Sequence, residues 1–228
     1  MVAVTSPSNI PSPQDGSASP FVSLRPITWQ TYQALLADLG DHRAVRLAYH
    51  HGTLEIKMPS KLHELVNRLL ERIMTALTEE LGLSILSFGS TTFDLEATQQ
   101  GVEPDSCFYI QNAHRVNPED DAPPGFPPDL VVEVDITRSS QSRLIIYQAM
   151  GVPEIWRYDR NGLTLLKLQD GAYVAGDRSL TFPMLSVEQL SDWVERGKQL
   201  KDHNALVQEL RTWLCTSRPA DPSSEPGG

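Results

Sequence analysis

The segment Asp129-Leu-Val-Val-Glu-Val-Asp-Ile136 is an apolar run interrupted by two acids. Its length and valine content suit a central strand covered on both faces. Strand side chains alternate, so Leu130, Val132, Val134 and Ile136 share one face while Val131, Glu133 and Asp135 share the other. The two carboxylates on that face are then about 6 to 7 Å apart. A carboxylate buried without partners costs several kcal/mol or takes up a proton, so the strand calls for a cation or strong donors. An edge strand whose acidic face meets water fits the same letters.

Upstream, Val102-Glu-Pro-Asp-Ser-Cys-Phe-Tyr-Ile110 places Asp105 directly after a proline, at the mouth of a second apolar strand. Alone, Pro-Asp is a common loop dipeptide. Together with acids inside the next strand, Asp105 could supply oxygen ligands of the kind a hard cation such as magnesium prefers.

The remaining pattern alternates strands and helices. Thr28 can cap a helix carrying Trp29, Tyr32, Leu35, Leu36 and Leu39, with Gly40 past its end. Val45, Leu47 and Tyr49, then Leu54, Ile56 and Met58, alternate around His51-Gly52 and read as a hairpin. From Lys61 to Leu81 the apolar residues follow the 3.6-residue period. A strand-like stretch runs over 84–95, and strands are expected over 105–110 and 130–136. A helix follows over 140–150, then strands over 155–158, 163–168 and 173–174, and closing helices over 187–194 and 205–214. Trp156, Tyr158 and the Gly151-Val-Pro153 turn read as packing residues, and His50-His51 as a hairpin turn without ligand spacing.

With 228 residues the chain fits one domain, expected over 21–216, between Ser- and Pro-rich ends at 1–20 and 217–228 that have too few apolar side chains to offset ordering entropy. The net charge of -10, from 29 acidic and 19 basic residues, disfavours broad contact with a polyanion, although a local basic patch or a bound cation can dominate one site. Cys107 and Cys215 form neither a disulfide framework nor a zinc pattern, which fits a reducing cytoplasm. No export segment or membrane anchor is expected.

Four ordered blocks resemble the Uma-two family, restriction-endonuclease-like members of the PD-(D/E)XK nuclease superfamily. They are Leu54-Glu-Ile-Lys-Met-Pro-Ser60 followed by His63, Gly101 to Asn112, Pro128 to Thr137, and Ile146 to Asp159. The resemblance implies an α/β fold with a restriction-endonuclease-like core, a central mixed sheet flanked by helices. It also implies a metal-dependent endonuclease acting on DNA, in which Asp105 and Glu133 bind magnesium, or manganese, and the carbonyl of Val134 completes the ligand set. Many nucleases of this class act as dimers, so a homodimer is expected.

The chain departs from the superfamily pattern at Asp135, two residues after Glu133, where a lysine normally stands. Arg143, early in the next helix, is the nearest substitute cation. Arginine stays protonated and is expected to orient a phosphate rather than act as a base. His63 matches the family histidine and borders the apolar stripe of its helix, where a structural and a catalytic role both fit. Glu64 lies opposite that stripe and is expected to face solvent. Asp105, Glu133, Asp135, Arg143 and His63 form the candidate catalytic set. A noncatalytic binding or assembly protein on the same fold, or a hydrolase of another phosphate ester, are the competing functions.

Overall fold

The structure is a computed structural model that describes residues 21–40, 44–117, 119, 126–136 and 141–217. The expected polar arm at 1–20 and all but the first residue of the expected tail lie outside them. The elements are β1 (Phe21–Leu24), α1 (Trp29–Leu39), β2 (Arg46–His50), β3 (Thr53–Lys57), α2 (Lys61–Leu81), β4 (Leu86–Ser87), β5 (Phe93–Leu95), β6 (Gln100–Val102), β7 (Ser106–Tyr109), β8 (Leu130–Asp135), α3 (Gln141–Met150), β9 (Glu154–Asp159), β10 (Gly162–Gln169), β11 (Ala172–Gly176), α4 (Val187–Gln199) and α5 (His203–Ser217).

Two sheets form. A five-stranded sheet runs β1-β3-β2-β6-β5 and is antiparallel throughout. A six-stranded sheet runs β11-β10-β9-β8-β7-β4 and is mixed, because β8 and β9 are parallel while the other pairs are antiparallel. The parallel pair requires a crossover, and α3 supplies it.

The alternation read from the sequence of β8 sorts its side chains as expected. Leu130, Val132 and Val134 enter the larger core beneath α2, α4 and α5, with Val66, Leu70, Ile73, Leu190 and Leu210. Val131 enters a second core, with Cys107, Ile146, Tyr147 and Ile155, that also takes Ala48 and Val102 from the five-stranded sheet. The edge-strand alternative does not hold: β8 lies between β7 and β9 and every residue in it is buried. Cys107 and Cys215 are both free, and burial pushes the Cys107 thiol up to about 12.

Local signals set the helix ends. The Thr28 side chain accepts the Thr31 amide and Ser60 accepts the amide of His63. Ser186 and Gln189 form a reciprocal capping box at α4. Gly82 ends α2 in the left-handed region at φ 65°, where a Cβ would be strained.

The stretch 84–95, read as one strand, is divided between sheets. β4 pairs with β7 in the six-stranded sheet and β5 pairs with β6 in the other. Strands β1 and β6 carry no alternation in sequence and were not expected. Gly101 in β6 is required because the Tyr32 hydroxyl, which donates to Asp94 at 3.0 Å, lies where a Cβ would project. Between β6 and β7 only Glu103, Pro104 and Asp105 carry the chain from one sheet to the other. Glu103 stays attached to the first: its amide donates to the Leu47 carbonyl at 3.1 Å and its carboxylate accepts the Leu47 amide at 2.6 Å. Asp105 is therefore held at the junction of the sheets.

Candidate active site

Asp105, Glu133 and Asp135 converge at that junction. All three are buried, at 3%, 1% and 7% exposure. The cation among them is Lys57, the last residue of β3. Its Nζ lies 2.8 Å from Asp105 Oδ2, 3.4 Å from Glu133 Oε2 and 3.5 Å from Asp135 Oδ1. The five-stranded sheet thus contributes the ammonium and the six-stranded sheet two of the carboxylates.

Asp105 Oδ2 accepts two hydrogen bonds, from Lys57 and from the Val134 amide at 2.7 Å. His63, buried in the first turn of α2, brings Nε2 to 2.9 Å of the same oxygen, outside hydrogen-bond alignment. Burial alone would raise the pKa of Asp105. The Lys57 ammonium, then His63 and Arg143, outweigh it and hold this carboxyl far below the usual range. The other oxygen, Oδ1, is buried and accepts no hydrogen bond.

Glu133 is pinned from behind by α3. Arg143 and Tyr147 are one turn apart and both reach Glu133 Oε1, Arg143 Nη1 at 3.1 Å and the Tyr147 hydroxyl in a short hydrogen bond. Arg143 Nη1 also donates to the Glu103 carbonyl at 2.6 Å. This leaves Oε2 turned toward Lys57. Burial lifts the pKa of Glu133 above the ordinary value despite Arg143 and Lys57, with Asp105 and Asp135 adding to the rise. Burial and Glu133 together push the Tyr147 phenol well up, so it remains a donor.

Asp135 lies nearer solvent. Its Oδ2 is 3.4 Å from Arg157 Nε on β9, and Arg157 Nη2 is 3.3 Å from Asp159. A further polar row backs Asp105 along α2: Ser106 donates to Glu71 at 2.6 Å, and Asn67 Oδ1 is 3.1 Å from the same hydroxyl.

The donor set fits a hard divalent cation. Asp105 Oδ1 is a buried carboxylate oxygen without a partner, and Glu133 Oε2 faces the same junction. A strand residue sends its N–H and C=O to one side, so the Val134 carbonyl lies on the side of β8 from which its amide reaches Asp105. Among the described residues no group of three or more His, Cys, Asp or Glu side chains is placed as a ready-made cage. Two carboxylates and a carbonyl suit a hard divalent ion that takes few protein ligands and keeps several waters.

The family profile described as "Uma2: Putative restriction endonuclease" matches residues 29–195. The chain belongs to the Uma2 family. Its fold is similar to a crystal structure described as a putative nuclease belonging to DUF820 from Anabaena variabilis. The two are 15% identical with a TM-score of 0.52, over 74% of this chain and 99% of that one. No curated protein matches it.

In this Uma2 chain, the candidate residues Asp105, Glu133, Asp135, His63 and Arg143 do come together, but not all in the expected posture. Arg143 was expected at a phosphate. Its side chain is 2% exposed and held by Glu133 and the Glu103 carbonyl, so it faces inward. Glu64 has a side chain 43% exposed, as its helical position implies. Lys57 and Tyr147 were missed. The spacing of Tyr147, four residues after Arg143, was the available signal for one, and the Glu55-Ile-Lys57 triplet within a family block for the other. Among the described residues no helix is long and apolar enough to cross a membrane.

Proposed function

We propose that this protein is a metal-dependent nuclease that hydrolyses DNA phosphodiester bonds, with Asp105 and Glu133 as the residues that hold a magnesium or manganese ion. The observation that carries this reading is the meeting of Asp105, Glu133 and Lys57 within 3.4 Å at the sheet junction, where Asp105 keeps a buried oxygen without a partner. The family description and the nuclease fold of the similar structure support it.

A bound ion would polarise the phosphoryl oxygen and lower the pKa of a water. The chain's own residues do the rest. Arg143 and Tyr147 fix the Glu133 carboxylate so that one oxygen stays available. The Val134 amide fixes Asp105, with His63 close to the same oxygen. Lys57 brings the positive charge that the superfamily takes from the position of Asp135, and it can neutralise charge on a phosphate group. A chain of net charge -10 disfavours broad contact with a polyanion, so the DNA contact of this reading is local to the site.

The test is incubation of the purified protein with plasmid, single-stranded and branched DNA plus magnesium or manganese. Cleavage is expected, falling on the order of 1000-fold in Asp105→Asn and Glu133→Gln, since each removes several kcal/mol of charge stabilisation. Absence of cleavage by the wild type, or rates unchanged in both variants, overturns the reading.

One observation favours a second reading, a noncatalytic binding protein on the nuclease fold. Asp105, Glu133 and Asp135 are already balanced by Lys57, Arg143 and Arg157. DNA binding without turnover under any divalent ion would support it.

A further inference from the structure

We propose that Lys57 is an internal counter-cation that competes with the divalent ion, so that the site loads by releasing this ammonium from Asp105 and Glu133. The inference rests on the metal reading above and adds how that metal site is controlled.

The first ground is position. Lys57 Nζ is within 3.5 Å of oxygens from three carboxylates, and its side chain is only 7% exposed. It therefore stands beside Glu133 Oε2, the oxygen turned to the junction, and beside Asp105 Oδ2, on the same carboxylate as the unpartnered Oδ1. The second is charge. Asp105, Glu133 and Asp135 are already met by Lys57, Arg143 and Arg157, the last shared with Asp159, and a divalent ion added without loss of a cation would leave the cluster net positive, which a medium of low polarisability opposes.

The third ground is which cation can leave. Arg143 is tied to Glu133 and to the Glu103 carbonyl and is boxed in between the sheets. Arg157 holds Asp159 as well as Asp135 and does not touch Asp105 or Glu133. Lys57 ends its strand, carries a flexible four-carbon stem, and among the described residues its ammonium meets these three carboxylates. Asp105 Oδ1, buried and without a hydrogen bond, is the independent sign that this cluster is incomplete with the lysine alone.

The proposal is tested by two measurements, neither of which reads activity. In the wild type, acetylation of Lys57 by an amine reagent is followed by peptide mass spectrometry, with exposed Lys61 as the reference. Lys57 is expected to be protected without manganese and to react several-fold faster with saturating manganese. In calorimetric titration, Lys57→Met is expected to bind manganese about tenfold or more tightly than the wild type, whereas Lys57→Arg, which keeps the charge, is not.

If manganese binds the wild type while Lys57 stays protected, or if Lys57→Met binds it no more tightly, exchange is overturned and the metal reading stands. If neither wild type nor Lys57→Met binds manganese, both fall. Because the acetylation arm uses the unaltered chain, the proposal stays open to refutation even if Lys57→Met fails to fold.

Discussion

Glu133 and Glu154 occupy neighbouring strands of one sheet, and both are buried, yet their surroundings differ in kind. Glu154, at the start of β9, accepts the Trp156 indole N–H at 3.0 Å, the Leu180 amide at 3.0 Å and the Thr181 amide at 2.7 Å. Its partners are neutral and come from its own strand and one loop. Glu133, at the far end of β8, meets an arginine, a lysine and a tyrosine from two other elements, with two more carboxylates close by. Asp129 behaves like Glu154: it accepts the amides of Ile110 and Asn112 at 2.7 and 3.0 Å and closes a turn. Backbone donors complete a carboxylate and leave it nothing further to do. The cluster around Glu133 keeps buried polar atoms without partners, Asp105 Oδ1 and Arg143 Nε and Nη2 among them, and such groups mark sites where function rather than stability sets the arrangement.

The sharpest way to break this contrast is a matched pair of substitutions. Glu133→Gln is expected to lower nuclease activity on the order of 1000-fold, while Glu154→Gln changes it less than about threefold, since only the first belongs to the proposed ion site. Initial rates of plasmid cleavage with manganese decide it. Equal losses in the two would erase the distinction between a working and a structural carboxylate.

The next effect is on stability and runs the other way. Glu154→Ala strands the Trp156 indole and two amides, and at roughly 1 to 3 kcal/mol for each orphaned donor, with solvent relieving part of it, the loss is about 3 to 5 kcal/mol. Denaturant unfolding checks it through the midpoint at constant slope. The folded fraction of Glu154→Ala should retain its activity per molecule.

Much of this was readable from the letters. The acids inside an apolar strand identified β8, and its alternation assigned Glu133 and Asp135 to one face. The 3.6-residue period gave α2 its full extent from Lys61 to Leu81. What could not be read is non-local. Strand β3 alternates Leu54 and Ile56 with Glu55 and Lys57, which as a local pattern describes a hairpin with a solvated face. Only the packing of two sheets against each other turns Lys57 inward and places it beside Asp105, 48 residues later. The letters around position 135 carry no sign that a lysine from another sheet lies beside Asp105. The same division explains the split of 84–95, whose halves pair with strands in different sheets.

A smaller effect probes how Glu133 is held. Tyr147→Phe removes the hydroxyl that, with Arg143, engages Oε1, and leaves the ring in its core. Partners that orient a metal-binding group are commonly worth about 10- to 100-fold in metal affinity or activity, and the lower half of that range is expected because Arg143 remains. Titration with manganese separates the two effects, since a misoriented Glu133 weakens ion binding before it slows a loaded site.

The smallest effect belongs to Asp135, the residue at the superfamily's lysine position. Its two cationic neighbours lie at 3.5 and 3.4 Å, the long end of ion pairing, and neither depends on it. Lys57 keeps Asp105 at 2.8 Å and Arg157 keeps Asp159 at 3.3 Å. Asp135→Asn keeps an oxygen in place and removes one charge from the outer side of the cluster, so activity should fall less than about tenfold, a change of ~1.4 kcal/mol at most. A loss as large as that of Glu133→Gln would move the centre of the site outward along β8, from the sheet junction toward Arg157. Glu133 would then join Glu154 as a buried carboxylate whose partners serve the fold.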